Sequence, residues 1–192
     1  QSLQLASRFP TTEICRLVSE ATRKICAGEI EQSLDPRGTH NDLERYFRII
    51  ERKTAVLFDA SCRLGALLGE PGPELAEAAG EFGRHLGLAY QIYDDLVDII
   101  GREEAIGKTL GTDFASGKGT LPFLLLMEEL EGDEKKMVEK RLDGDGGGGW
   151  TEIQRLILEK QVVSRVTDVF ENEMNRAYRA ASFFKPEAGG ER

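Results

Sequence analysis

Tyr90–Ile100 reads YQIYDDLVDII, and the fold and the chemistry of the chain both turn on it. Its polar residues Gln91, Asp94, Asp95 and Asp98 recur at offsets of three, four and seven. At 3.6 residues per turn such offsets place them on one helix face. Leu88, Ile92, Leu96 and Ile99 then point elsewhere, into apolar surroundings. The like charges of Asp94 and Asp98, at i,i+4, cost roughly 0.2–0.5 kcal/mol. The helix is also about to end at Gly101, where its dipole disfavours carboxylates. An acidic row in that place is either a solvated surface or a cation holder.

Upstream, the same helix starts near Glu74 and runs through Leu75, Ala79, Phe82, Leu86, Tyr90, Tyr93 and Val97. Gly80, Gly83 and Gly87 lie inside it, each costing about 1 kcal/mol relative to alanine. Their spacing predicts a central helix closely approached by another. Asn41-Asp42-Leu43-Glu44 is a capping-box signature. It opens a helix that carries Tyr46, Phe47, Ile50, Leu57, Phe58, Leu64 and Leu68 toward a core and stops at Gly69, before Pro71. Lys53 sits on that stripe with Thr54 beside it. A lysine so placed either snorkels to solvent along its stem or lines a polar cleft. Earlier still, Pro10 stops a short helical remnant over Leu3–Phe9. Thr11 and Thr12 cap a helix bearing Ile14, Leu17, Val18, Ala21, Ile25 and Ile30, which closes at Asp35-Pro36-Arg37-Gly38.

Downstream, Gly101–Gly119 has no sustained period and reads as an ordered loop with a helical turn at Glu103–Ile106, punctuated by Lys108, Asp113 and Lys118. Thr120-Leu121-Pro122 opens an apolar helix to Leu130. A solvated charged helix over Asp133–Leu142 follows, then a glycine-rich loop without the spaced oxygens of a calcium loop. Thr151-x-x-Gln154 caps one last helix through Tyr178, and a disordered tail is expected after Phe184. No segment asks to be a strand. The expected fold is all-α, a single domain over residues 1–192 built as an antiparallel bundle of long helices.

At 192 residues with a formal charge of -9, the chain has a sizeable core and no means of neutralising a run of phosphates, which excludes a nucleic-acid surface. Cys15, Cys26 and Cys62 form neither a C-x-x-C pair nor a zinc pattern and suit a reducing compartment. No apolar run approaches the ~18–20 residues of a membrane span. No signal peptide is evident, so a cytoplasmic location is expected. Gln1 in place of an initiator methionine leads us to expect a piece of a longer product.

Hard carboxylate oxygens without histidine or thiolate partners point to magnesium or manganese. Magnesium is commonly held by one or two carboxylates plus substrate phosphates, and Lys53, Lys108 and Lys118 supply cations for the far side of a diphosphate. Gly117-Lys118-Gly119 is not the end of a P-loop: the metal-binding hydroxyl position is Gly119 and no strand precedes it.

KTAVLF at Lys53–Phe58, QIYDDLVDI at Gln91–Ile99 and GKTLGTDFASGKGTLP at Gly107–Pro122, with GEIEQ at Gly28–Gln32, resemble the trans-isoprenyl diphosphate synthase (polyprenyl synthetase) family in order and spacing. The resemblance implies an isoprenoid synthase-type bundle, incomplete at its N-terminus. It implies that Asp94, Asp95 and Asp98 form the second aspartate-rich motif, with Asp94 the principal Mg²⁺ ligand. Lys53 and Lys118 would bind the allylic diphosphate, Lys108 would close over it, and Thr54 and Gln91 would orient substrate and stabilise the cation. Gln32 falls where relatives place a residue that helps around the metals. The implied reaction is 1'-4 condensation of isopentenyl diphosphate with an allylic diphosphate, and the implied assembly a homodimer.

The family's first D-D-x-x-D motif and its arginine pair would lie before Gln1, and the final helix after Arg192, so these residues alone are not expected to catalyse. Two other readings stay open. One is a non-catalytic homologous subunit of a hetero-oligomeric synthase; the other is a class I terpene cyclase.

Overall fold

The computed structural model describes residues 1–34, 42–69, 72–101, 110–142 and 149–184. The expected turn at 35–38, Asn41, the helical turn at 103–106, Lys108, the glycine run after Asp143 and the tail beyond Phe184 lie outside them. Every regular element among the described residues is helical. In order they are α1 (Ser2–Ala6), α2 (Thr12–Leu34), α3 (Leu43–Ile50), a π-turn (Glu51–Ala55), α4 (Val56–Leu68), α5 (Pro73–Ile100), α6 (Thr112–Ala115), α7 (Leu121–Glu129), α8 (Gly132–Leu142), α9 (Trp150–Glu159), α10 (Val162–Ala181) and a closing 3₁₀ turn (Ser182–Phe184). No described helix is long and apolar enough to cross a membrane.

The helix starts follow their capping chemistry. Thr11 Oγ1 accepts the Glu13 backbone N–H at 3.2 Å, and Asp42 Oδ1 accepts that of Arg45 at 2.8 Å. Asp42 therefore caps α3, one residue later than the box pattern suggests. Thr120 stands at the N-cap of α7 with Pro122 in the first turn, but its buried Oγ1 has no hydrogen-bond partner.

Two compact units divide the chain. The first comprises Gln1–Gly28, Ile50–Ala89 and Asn172–Arg192. Here the glycines of α5 let it lie against the backbone of the preceding helix. A Cβ on Gly87 would stand 2.6 Å from the Cα of Ala55, and one on Gly83 2.7 Å from the carbonyl carbon of Phe58. Ala21, Val56 and Ala60 form a buried cluster with Ile25 against it. His85 and Glu173, each 6% exposed, join α5 to α10, with Nδ1–H donating to Oε2 at 2.6 Å.

The second unit comprises Glu29–Ile49 and Tyr90–Glu171. All of Leu121–Met127 is buried, an apolar helix enclosed on every side, and Ile92, Ile99, Val138, Ile153, Leu156, Ile157, Val162 and Val166 are equally buried. The Gln154 side-chain amide donates to the Ile99 carbonyl at 2.7 Å, satisfying one of the orphan carbonyls at the end of α5.

Three expectations are corrected. The last helix is two, α9 and α10, parted at Gln161, whose φ of 55° is incompatible with a continuing right-handed helix. The helix over residues 43–68 is interrupted by the π-turn, which the 3.6-residue period cannot reveal. Leu57 and Leu68, expected to face a core, are 54% and 53% exposed, because the residue added by the π-turn rotates the stripe and turns Val56 and Ala60 inward instead.

Candidate metal-diphosphate wall

The acidic row on α5 is not a solvated face. Asp95 is 3% exposed and Asp98 1%, whereas Gln91 and Asp94 are half-buried. Burying a carboxylate is tolerated only when its oxygens are met by donors. Both are. The Tyr46 hydroxyl, reaching from α3, donates to Asp95 Oδ2 at 2.7 Å, and Gln91 Nε2–H donates to Oδ1 at 2.9 Å. Burial still pushes the Asp95 carboxyl up to about 7, with Asp113 and Asp94 adding to it against the two hydrogen bonds. Burial, then the neighbouring charge of Asp95, likewise holds the Tyr46 phenol well above its ordinary value.

Asp98 is committed differently. It accepts the Thr112 hydroxyl at 3.2 Å and the Asp113 backbone N–H at 3.1 Å, so that it caps α6. The Gly111 N–H also donates to the Asp98 carbonyl at 3.0 Å. Gly111 has φ +70° and carries the plane of Trp150 where a Cβ would stand, 3.0 Å from the nearest ring atom. Phe114 bridges Phe123 and Trp150 with ring centroids 5.8 and 5.6 Å apart, so apolar stacking holds the loop that Asp98 anchors.

That loop delivers Lys118. Its Nζ donates to Asp113 Oδ1 at 2.8 Å and its side chain remains 39% exposed. Burial pulls the ammonium down, but the Asp113 hydrogen bond and the charges of Asp113, Asp95 and Asp98 outweigh it, and the net shift is upward. The lysine thus stays a cation beside an acidic row, its head within reach of solvent.

The second unit therefore brings together Gln91, Asp94, Asp95, Asp98 and Lys118. Lys53 and Thr54 lie in the first unit, both half-buried, on the π-turn, a helix irregularity that recurs at functional sites. Lys108 lies outside the described residues. The residues the sequence reading missed are Tyr46, hidden because it occupies an apolar stripe, and Asp113, an unremarkable loop acid until Lys118 is placed against it. Among the described residues no group of three or more histidine, cysteine or acidic side chains could enclose a metal. What the row offers is a half-buried carboxylate with hard oxygen donors, fit for a hydrated divalent ion also held by phosphate.

The sequence profile of the family described as polyprenyl synthetase matches residues 1–156. The chain belongs to the polyprenyl synthetase family. Heptaprenyl diphosphate synthase component 2 of Bacillus subtilis (strain 168) is 37% identical over 127 residues, which are 66% of this chain and 36% of that protein. Octaprenyl diphosphate synthase of Escherichia coli (strain K12) is 31% identical over 147 residues, 77% of this chain and 46% of its own length. The chain thus spans less than half the length of these curated relatives. The crystal structure of a polyprenyl synthase from Caulobacter crescentus CB15, complexed with calcium and isoprenyl diphosphate, superposes with a TM-score of 0.84 at 29% identity, covering 90% of this chain and 53% of that one. The all-α polyprenyl synthase fold is shared.

Proposed function

We propose that this chain supplies the second-motif wall of a Mg²⁺-dependent trans-prenyltransferase that condenses isopentenyl diphosphate with an allylic diphosphate. The observation that carries the reading is the division of labour in the acidic row. Asp95 and Asp98 are buried on protein donors, Asp94 on the same helix face is half-buried, and Lys118 adds a cation to the same network. Magnesium, or manganese, would be held by Asp94 and would neutralise charge on the departing diphosphate.

The chain's own residues do the rest. Lys118 leaves Asp113 for phosphate oxygens, exchanging one anionic partner for another with little desolvation. Lys53 and Lys108 would take the diphosphate-binding roles that the family resemblance implies. Gln91 holds Asp95 in place, and Thr54 contributes a hydroxyl dipole toward the developing allylic cation. Fixed dipoles and charges of this kind favour ionisation because they need no reorganisation as charge separates. The allylic C–O bond breaks with its electron pair leaving on diphosphate, the isopentenyl double bond attacks the allylic carbon to form the new C–C bond, and the proton then lost passes to the departed diphosphate.

The test is incubation of the full-length gene product with farnesyl diphosphate, labelled isopentenyl diphosphate and Mg²⁺. Label in an acid-labile product longer by five-carbon units supports the reading. Consumption of the allylic diphosphate alone, with release of a cyclic hydrocarbon, would replace it with the cyclase. A second reading, a subunit that works only with another chain, is favoured by the relative named component 2. It calls for turnover that appears only when a second polypeptide is added, whereas a homodimeric synthase needs none.

A further inference from the structure

Asp95 belongs to the charged row, yet its two oxygens are occupied by Tyr46 and Gln91. Resting on the diphosphate reading above, we propose that Tyr46 is a positioning residue for the metal-diphosphate wall. Its hydroxyl pins Asp95, so that Asp94 is the carboxylate presented to the metal and Lys118 stays on Asp113, poised for phosphate.

The contact is built to be rigid. Tyr46 is 6% exposed, and its ring meets Phe47 edge-on, with centroids 5.3 Å apart and planes at 76°. An O–H to carboxylate bond of 2.7 Å belongs to the charge-assisted class, roughly twice as strong as a neutral one. Gln91 donates to the other oxygen, Oδ1. If the phenol oxygen is deleted, Oδ2 remains buried and must recruit another donor. Lys118 is such a donor, because its Nζ lies on Asp113, whose backbone N–H is held by Asp98 one turn along α5 from Asp95. An ammonium drawn inward from Asp113 to Asp95 is an ammonium lost to the diphosphate. Tyr46 therefore acts through Asp95 on ligand binding, although it touches neither metal nor phosphate itself. A tyrosine that merely fills the core would leave Lys118 where it is.

The experiment is a double-mutant cycle read by calorimetric titration with inorganic pyrophosphate in excess Mg²⁺, on the parent protein, Tyr46→Phe, Asp95→Asn and the double variant. Tyr46→Phe is expected to raise the pyrophosphate Kd at least about tenfold, the lower end for losing a hydrogen bond to a charged group. In the Asp95→Asn background the same substitution is expected to change Kd less than about twofold, because the group it acts through is gone. Equal effects in both backgrounds, or a lowered Tm with Kd unmoved, would overturn the proposal while leaving the diphosphate reading intact. A parent protein that binds no pyrophosphate would overturn both. If Tyr46→Phe does not fold, 3-fluorotyrosine at position 46 keeps the hydroxyl. Its ¹⁹F shift is expected to move when Mg²⁺ and pyrophosphate are added, and a shift that stays put refutes the coupling.

Discussion

Replacing Gly83 with alanine isolates what brings α5 onto the preceding helix. The new Cβ would point at the carbonyl oxygen of Phe58, 2.7 Å from its carbon and 2.9 Å from the Asp59 nitrogen, where ordinary contact is 3.4–4 Å. These are backbone atoms, which no rotamer change can move. The helices must part by at least the difference between 3.4 and 2.7 Å, or 0.7 Å. A gap of that size forfeits a quarter to a half of the dispersion well along the whole contact. Overpacking costs about 1–3 kcal/mol, and a clash with main chain belongs at the upper end. Against that stands about 1 kcal/mol of helix propensity gained on leaving glycine. The net is a loss of about 2 kcal/mol, or about 4–8 °C in Tm for a chain of this size. Gly65 in α4 is the internal control: nothing lies within 4 Å of its Cβ position. Gly65→Ala is expected to stabilise by about 0.4–1 kcal/mol. Thermal and urea unfolding followed by circular dichroism measure both. If the two substitutions change stability in the same direction, close helix approach is not what the α5 glycines provide.

Gln161 occupies the left-handed region, which costs a non-glycine residue roughly 1–2 kcal/mol. Gln161→Gly is expected to raise the urea midpoint and Gln161→Val to lower it. His85→Ala leaves the 6% exposed Glu173 with Arg176, 3.3 Å from its other oxygen, as its charged partner among the described residues. A loss of about 1–3 kcal/mol is expected for the abandoned acceptor, with partial recovery in His85→Gln, measured by chemical denaturation. Trp150→Ala removes the ring that Gly111 and Phe114 stack on. Proteolysis at 110–120 is expected to accelerate more than global unfolding does, as limited digestion would register.

Helix period and capping chemistry carried most of the fold because they are local. Thr11 and Gly101 mark boundaries through hydrogen bonds within a turn of themselves, and Asp42 does so one residue past the cap the box pattern indicates. The π-turn was invisible because a single inserted residue leaves no compositional trace. Gln161 was invisible because glutamine gives no warning of a left-handed φ. In the candidate site, spacing placed Gln91, Asp94, Asp95 and Asp98 on one stripe correctly, but which way the stripe faced depended on Tyr46 and Thr112, distant in sequence. Buried carboxylates look like solvated ones until their donors are located. For the same reason the protein donors on both oxygens of Asp95 and of Asp98 could not be read from the sequence.

The claim that most needs a direct measurement is that Asp94 is the metal-bearing carboxylate of a diphosphate wall. Manganese binding in the presence of inorganic pyrophosphate, followed by loss of the free Mn²⁺ EPR signal, compares the parent protein with Asp94→Ala. Removing one of two or three ligands of a hydrated ion is expected to weaken binding at least about tenfold, while Tm holds or rises because like-charge repulsion is relieved. Undiminished Mn²⁺ binding in Asp94→Ala, or a collapse of Tm alongside it, would contradict the assignment.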